Sequence, residues 1–174
     1  MASYYYLMSS LPLLKADEDM PFSYDEFLEM CKGCVGSSKY GILENLTVDS
    51  KEGPLISEWH RFYGEFKKEL NYQRNVKLGK PVQPPIIRDE IIARTVSAAV
   101  NDENPLNAEL NLLSLQFEKL DSLIGIHSFD DWFLFGYALK LKLLQRKTVF
   151  NKEKGKNELN RIVDDLEQQI MSIG

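Results

Sequence analysis

The chain has few of the residues on which metal and redox sites usually depend, with two cysteines and two histidines among 174 residues. Two cysteines cannot form a disulfide framework, and this scarcity is typical of a protein from the reducing cytoplasm. A zinc site on Cys31 and Cys34 would need two more ligands, and only His60, His127 and carboxylates offer them. We therefore predict no metal ion, no cofactor and no enzymatic activity.

Sequence motifs for common catalytic sites are also missing. We find no phosphate-binding loop, no dinucleotide-binding glycine motif and no nucleophile elbow. Cys31-Lys-Gly-Cys34 is the one motif with catalytic or metal-binding spacing, but it falls at the predicted end of a helix, where the dipole raises a thiol pKa. His60 is predicted to lie at the margin of the core, and His127 to form local hydrogen bonds. A small metal or redox protein that uses Cys31 and Cys34 stays open as an alternative.

Long apolar runs and a basic leader are absent from the sequence as well. No apolar run approaches the roughly 20 residues that span a bilayer, and the first residues lack a signal-peptide pattern. Because the net charge is −5, we expect no bulk attraction to nucleic acid. The sequence predicts a cytoplasmic protein, or one peripheral to the inner membrane through a complex, with no transmembrane segment and no small-molecule substrate.

Helical periodicity is what the chain does have. Apolar residues recur at three- and four-residue steps, and no convincing strand alternation or hairpin signal is present. The predicted helices cover 23–32, 39–46, 54–78, 89–100, 104–124, 129–150 and 156–173. Residues 4–11 fit either a strand-like edge or a helical turn. We predict an all-α fold, an irregular bundle of about seven helices in a single domain, 1–174, or in two sub-bundles that meet near 80–88.

Short capping signals mark three of these helix starts. Ser23 with Glu26 has capping-box spacing, and Asn104 followed by Pro105 is typical of an N-cap with proline at the first helical position. Ser128, three residues before an aspartate, predicts the start of the last long helix before the C-terminal one. Since Gly136 is the only residue from 132 to 139 that is not hydrophobic, this helix is predicted to be central.

A cluster of seven basic residues within seventeen positions follows that apolar stretch, with Glu153 the only acid among them. One interpretation is favourable charge at a helix C-terminus together with a solvated turn. The other is a docking patch for an acidic protein surface. Nucleic acid fits less well, because aromatic residues do not interleave with the lysines. The candidate partner-contact residues are Lys140, Lys142, Arg146, Lys147, Lys152, Lys154 and Lys156.

Four segments of the chain, 4–12, 21–28, 104–109 and 129–146, resemble a bacterial family of unknown function. Members of that family tend to be encoded among V-type ATPase genes. More distantly, 135–146 with Lys154-Gly155 is similar to the closing segment of the C subunit of V/A-type ATPases. The C subunit is a non-catalytic helical funnel that seats the central stalk on the membrane rotor ring. A similar segment recurs in each of its three-helix units. This chain is too short for three such units.

The resemblance implies a non-catalytic structural or assembly subunit of a bacterial V-type ATPase, a pump for protons or sodium ions. Its place would be the central stalk–rotor junction, and its partners would be stalk or rotor subunits. The fold would resemble the three-helix units of the funnel. A free helical adaptor or regulatory protein that binds an acidic protein partner is the first alternative.

Overall fold

The computed structural model describes residues 2–148, and residues 1 and 149–174 lie outside the described part. Over that range the chain forms α-helices and no strand, which confirms the all-α prediction. The seven helices are α1 (Ala2–Ser10), α2 (Tyr24–Cys31), α3 (Ser37–Glu44), α4 (Ile56–Lys77), α5 (Glu90–Asn101), α6 (Pro105–Ile124) and α7 (Asp131–Thr148). Residues 4–10 are thus helical, whereas the helix predicted over 156–173 lies outside the described residues.

Two of the predicted helix starts are confirmed in atomic detail. Ser23 Oγ accepts a hydrogen bond from the Glu26 amide at 3.2 Å, and the Glu26 carboxylate accepts from the Ser23 amide at 2.7 Å. Asn104 Oδ1 accepts from the amide of Leu106 at 3.0 Å, with Pro105 as the first helical residue. Each cap satisfies amides that the first turn of a helix leaves without partners.

The predicted cap of α7 is wrong. Ser128 Oγ donates to the Ile126 carbonyl at 3.4 Å, and the side chain that accepts from the first turn is Asp130, whose Oδ1 lies 3.1 Å from the Phe133 amide. His127 Nδ1 pairs with the other oxygen of Asp130, so the local hydrogen bonding predicted for His127 is confirmed. Burial raises the pKa of Asp130, but the hydrogen bonds from His127 and Phe133 outweigh it and hold the pKa below its usual range.

The middle of α7 is the centre of the core, as predicted. Every residue from Leu134 to Leu141 is buried, and the helix packs against α6 and α2. Gly136 permits the close packing of α7 against α6, because a Cβ at that position would lie 2.6 Å from the Ile124 side chain. Tyr137 is also buried, and its hydroxyl donates to the Pro12 carbonyl at 3.0 Å.

Antiparallel packing relates α6 to both of the other long helices. Lys119, late in α6, lies over the ring of Phe62 early in α4, and Asp121 pairs with Lys140 of α7. The last turn of α7 meets α4 at Tyr63, where Arg146 Nη1 donates to the tyrosine oxygen at 2.9 Å. Since α4 continues from there to Lys77, it extends roughly 20 Å beyond this contact. The surface that α4 and α6 share therefore runs past the end of α7.

The number of domains stays a prediction. One continuous cluster of buried apolar side chains draws on residues from α1 to α7. The stretch 80–88 lies outside the helices, as its prolines predicted.

Candidate interaction surfaces

The first two predicted basic residues face the protein interior. Lys140 is only 6% exposed; its Nζ donates to Asp121 Oδ1 and lies 5.3 Å from the centre of the Phe117 ring. Lys142 is half-buried with its Nζ 3.4 Å from the centre of the Tyr24 ring, and burial lowers its pKa. These two charges are therefore engaged inside the fold, one against α6 and the other against α2.

The next two basic residues lie together at the end of α7. Besides its bond to Tyr63, Arg146 is exposed, and Lys147 Nζ donates to the carbonyls of Ala16 and Glu18 at 3.2 and 3.1 Å. Arg146 and Lys147 therefore contact α4 and the 16–18 backbone, whereas Lys140 and Lys142 contact α6 and α2. Lys152, Lys154 and Lys156 lie outside the described residues. Partner contact by any of the seven stays a prediction.

A groove of about 770 Å³ lies between α4, α6 and the end of α7. This volume falls within the roughly 300–1,000 Å³ range of small-molecule pockets. Basic groups at its edge are Lys67, Arg74, Arg146 and Lys147, against the acids Asp19 and Glu109. Its apolar lining comes from Met20, Phe66, Leu70, Leu106, Leu110, Leu112, Leu113 and Leu143. The combination suits an amphipathic helix with acidic flanks.

Gln116 also lines this groove and is 7% exposed. Its amide nitrogen donates to the Leu112 carbonyl at 2.9 Å, while its Oε1 has no hydrogen-bond partner among the described residues. A buried acceptor without a partner costs free energy, so this amide marks a position that a donor would stabilise. Sequence reasoning missed the groove, because its walls come from three helices that are distant in the chain.

A second surface is the connection between α4 and α5, which we call the 78–89 loop. It displays apolar side chains to solvent: Ile86 is fully exposed, Ile87 is 76% exposed, and Leu78 is 67% exposed. Three prolines between residues 80 and 86 restrict the backbone of this loop. Sequence reasoning identified a loop here, but it missed the displayed isoleucines. Two isoleucines directly after Pro-Pro, outside any helical pattern, were the available signal.

A bidentate ion pair anchors the 78–89 loop to α4. Arg88 donates from Nε to Glu69 Oε2 at 2.9 Å and from Nη2 to Glu69 Oε1 at 2.6 Å. Gln73 donates to the same carboxylate at 2.8 Å, and the arginine lies over the ring of Tyr72. Glu69 is buried, and the hydrogen bonds from Arg88 lower its pKa. The isoleucines that precede Arg88 are therefore held in place from one side.

The cysteine pair lies at the end of α2, as predicted. Cys31 is the last residue of that helix and is fully buried, while Cys34 is half-buried, and both are free thiols. Burial raises the pKa of Cys31 to about 12, with a smaller contribution from Cys34. The raised pKa of Cys31 agrees in direction with the prediction, but its leading cause is burial and not the helix dipole. Within residues 2–148, no group of three His, Cys, Asp or Glu residues is arranged to hold a metal ion.

His60 is half-buried in α4, consistent with the predicted position at the core margin. Its Nδ1 is buried and has no hydrogen-bond partner in the described part of the chain. Among residues 2–148 it belongs to no group of three possible metal ligands.

Among the described helices, none combines the length and the hydropathy that a transmembrane span requires. Comparisons of this chain with family models, with curated proteins and with solved structures give no match. The resemblance to the V-type ATPase-associated family therefore stays a prediction made from the sequence.

Proposed function

We propose that this protein is a non-catalytic structural or assembly subunit of a bacterial V-type ATPase, bound at the central stalk–rotor junction. The sequence resemblance of 4–12, 21–28, 104–109 and 129–146 supports the association with that pump. The all-α architecture agrees with the helical bundle that the resemblance implies. The mechanism is rigid docking, in which the helices act as a spacer between partner subunits.

The observation that carries a docking role is the 78–89 loop. Isolated exposed apolar residues are ordinary, but here Ile86 and Ile87 are adjacent, follow two prolines and precede an anchored arginine. The prolines and the Arg88 pair reduce the conformational entropy that binding would remove. Such a pre-ordered apolar pair can enter a pocket on a partner at low ordering cost. The basic residues at 146–156 would then face acidic groups of the complex.

Co-purification tests this proposal with the whole chain in its own cells. We expect tagged protein, extracted from native membranes in mild detergent, to recover V-type ATPase subunits. The double variant Ile86→Asp/Ile87→Asp should reduce that recovery at least tenfold. Ile126→Asp is the matched control, because Ile126 is almost fully exposed in the turn between α6 and α7, away from the loop. Wild-type protein that recovers no ATPase subunit would contradict the proposal.

A free adaptor or regulator that binds an acidic partner is the second candidate. Arg146, which is exposed at the end of α7 and lines the groove, favours it. Contacts of this kind weaken with salt, because the Debye length falls from about 10 Å at 0.1 M to 3 Å at 1 M. Substoichiometric recovery that is lost in high salt would favour the adaptor, whereas stoichiometric, salt-resistant recovery would favour the fixed subunit.

The metal or redox alternative is less well supported by the geometry. A thiol with a pKa of about 12 is almost entirely protonated at neutral pH, and the thiolate is the reactive and metal-binding form. Elemental analysis of the purified full chain tests this directly. Zinc near one atom per chain would revive the alternative.

A further inference from the structure

The groove lies beside the last described residues of α7. Leu143 and Arg146 of α7 line one end of it, while Leu70 and Leu106 extend the apolar walls along α4 and α6. Leu106 is 54% exposed, although it is a leucine on a groove wall. The chain continues from Thr148, directly after two residues that line the groove. Whatever follows α7 in the chain therefore starts beside this apolar surface.

The sequence that follows Thr148 contains an amphipathic segment with an excess of acids. Residues 156–173 carry a single apolar stripe at helical spacing, formed by Leu159, Ile162, Val163, Leu166, Ile170 and Ile173. This segment holds four acids, Glu158, Asp164, Asp165 and Glu167, and two basic residues, Lys156 and Arg161. The groove lining has the opposite balance, with four basic groups and two acids, of which Lys67 also pairs with Asp49 and Lys147 also donates to two backbone carbonyls. Apolar and charged features are thus complementary on both sides.

The chain is also long enough for this contact. Seven residues, 149–155, separate Thr148 from Lys156 and can span up to roughly 25 Å when extended. A helix over 156–173 would be about 27 Å long, enough to cover the part of α4 that extends past α7. A short tether of this kind keeps the segment at an effective concentration in the millimolar range.

We propose that the groove between α4, α6 and α7 is a helix-binding site whose resident occupant is residues 156–173 of the same chain. An acidic amphipathic helix from another protein can bind this groove only by displacing that segment. The groove is separate from the 78–89 loop, so this inference does not rest on the proposed association with an ATPase.

A labelled peptide of residues 156–174 tests the site in trans. Leu166→Asp in the full chain places a charge on the apolar stripe and should release the segment, so that the peptide binds the vacated groove. In wild-type protein the tethered copy competes, and we expect binding of the peptide to be weaker by roughly 100-fold. Gln168→Asp is the matched control, because position 168 lies opposite the stripe on a helix. Equal affinity for both chains, or no binding to the Leu166→Asp chain, would overturn the proposal.

A second measurement leaves residues 156–173 unaltered. Asn71 is exposed on the groove wall, and Asn71→Cys in a Cys34→Ser chain accepts a nitroxide label, since Cys31 is buried. We expect the label to broaden the backbone amide signals of 156–173. A label on Ile126→Cys, at the opposite end of α6 from Leu106, should leave them sharp. Sharp signals with the label on Asn71→Cys would overturn the inference. Neither experiment contains ATPase subunits, so either result leaves the co-purification test independent.

Discussion

The two connections at the ends of α4 are similar in composition but differ in the burial of their apolar side chains. The 45–55 connection and the 78–89 loop both contain proline and several large apolar residues. In the first, Leu46, Val48 and Leu55 are buried, whereas in the second the isoleucines are exposed. The apolar content of a loop therefore does not decide whether it joins the core. What decides it is which packed surface lies beside the loop once the helices have assembled.

The anchors of the two connections differ in the same way. Trp59 Nε1 donates to the Val48 carbonyl at 2.9 Å and draws the 45–55 connection into the core. Leu55 completes this packing, with a methyl group 3.3 Å from where a Cβ on Gly136 would lie. The 78–89 loop is instead attached through a charged pair at its end, which fixes the loop without burying its apolar side chains. The Trp59 hydrogen bond therefore holds apolar side chains in the core, whereas the Arg88–Glu69 pair holds a loop whose apolar side chains remain exposed.

The largest expected effect tests the interior connection. We expect Leu55→Ala to lower the free energy of unfolding by about 2 to 5 kcal/mol, because a fully buried leucine leaves a cavity. Leu55 has a positive φ of 63°, which alanine must also adopt, so the substitution isolates the side chain. Ile87→Ala in the 78–89 loop should change the free energy of unfolding by less than about 0.5 kcal/mol. Urea denaturation measures the free energy of unfolding of both variants. Equal losses would contradict the contrast between the buried connection and the exposed loop.

The second effect concerns the interior anchor. Trp59→Phe keeps most of the aromatic packing but removes the donor to Val48, and leaves a buried carbonyl without its partner. We expect a loss of about 1 to 3 kcal/mol in the free energy of unfolding. Trp132→Phe is the matched control, because its Nε1 donates to the Leu123 carbonyl from a less buried position. A larger loss for the control than for Trp59→Phe would contradict the assigned anchor.

The smallest effect concerns the charged anchor and depends on pH. Glu69→Gln should cost about 1 to 2 kcal/mol at pH 7, because a hydrogen bond to a charged group becomes a neutral one and Arg88 is partly solvated. The folded-state pKa of Glu69 is lowered, so this stabilisation is complete above the unfolded pKa, near 4.3, and is lost as pH falls through the folded value. Melting temperatures of both proteins should therefore converge towards pH 3. A constant gap from pH 7 to pH 3 would refute this assignment.

Local features of the fold were predictable from the sequence, within limits. The caps at Ser23 and Asn104 depend on partners two or three residues away, so a short window contains the whole interaction. The error at Ser128 shows the limit of such a window. Ser128 and Asp130 both stood near the start of α7, and Asp130 was two residues closer to the amide that needed an acceptor.

The candidate site was harder to predict, because its contacts join distant parts of the chain. Lys140 belonged to a basic cluster in the sequence, yet its partner Asp121 lies on another helix. Arg146 bonds to Tyr63, and Lys147 to backbone carbonyls at 16 and 18. No periodicity or spacing reports such pairs. The groove and the displayed isoleucines depend on the same long-range arrangement.

The sequence by itself determined that this protein is helical, where most of its helices begin and end, and that the middle of α7 is buried. These properties follow from periodicity and from hydrogen bonds within about four residues, which are encoded locally. Only the tertiary structure decided which apolar connection enters the core, which lysines pack against it, and where α4 and α6 leave a groove. Those outcomes depend on how helices pack across distant parts of the chain, and packing is a property of surfaces that no single segment contains.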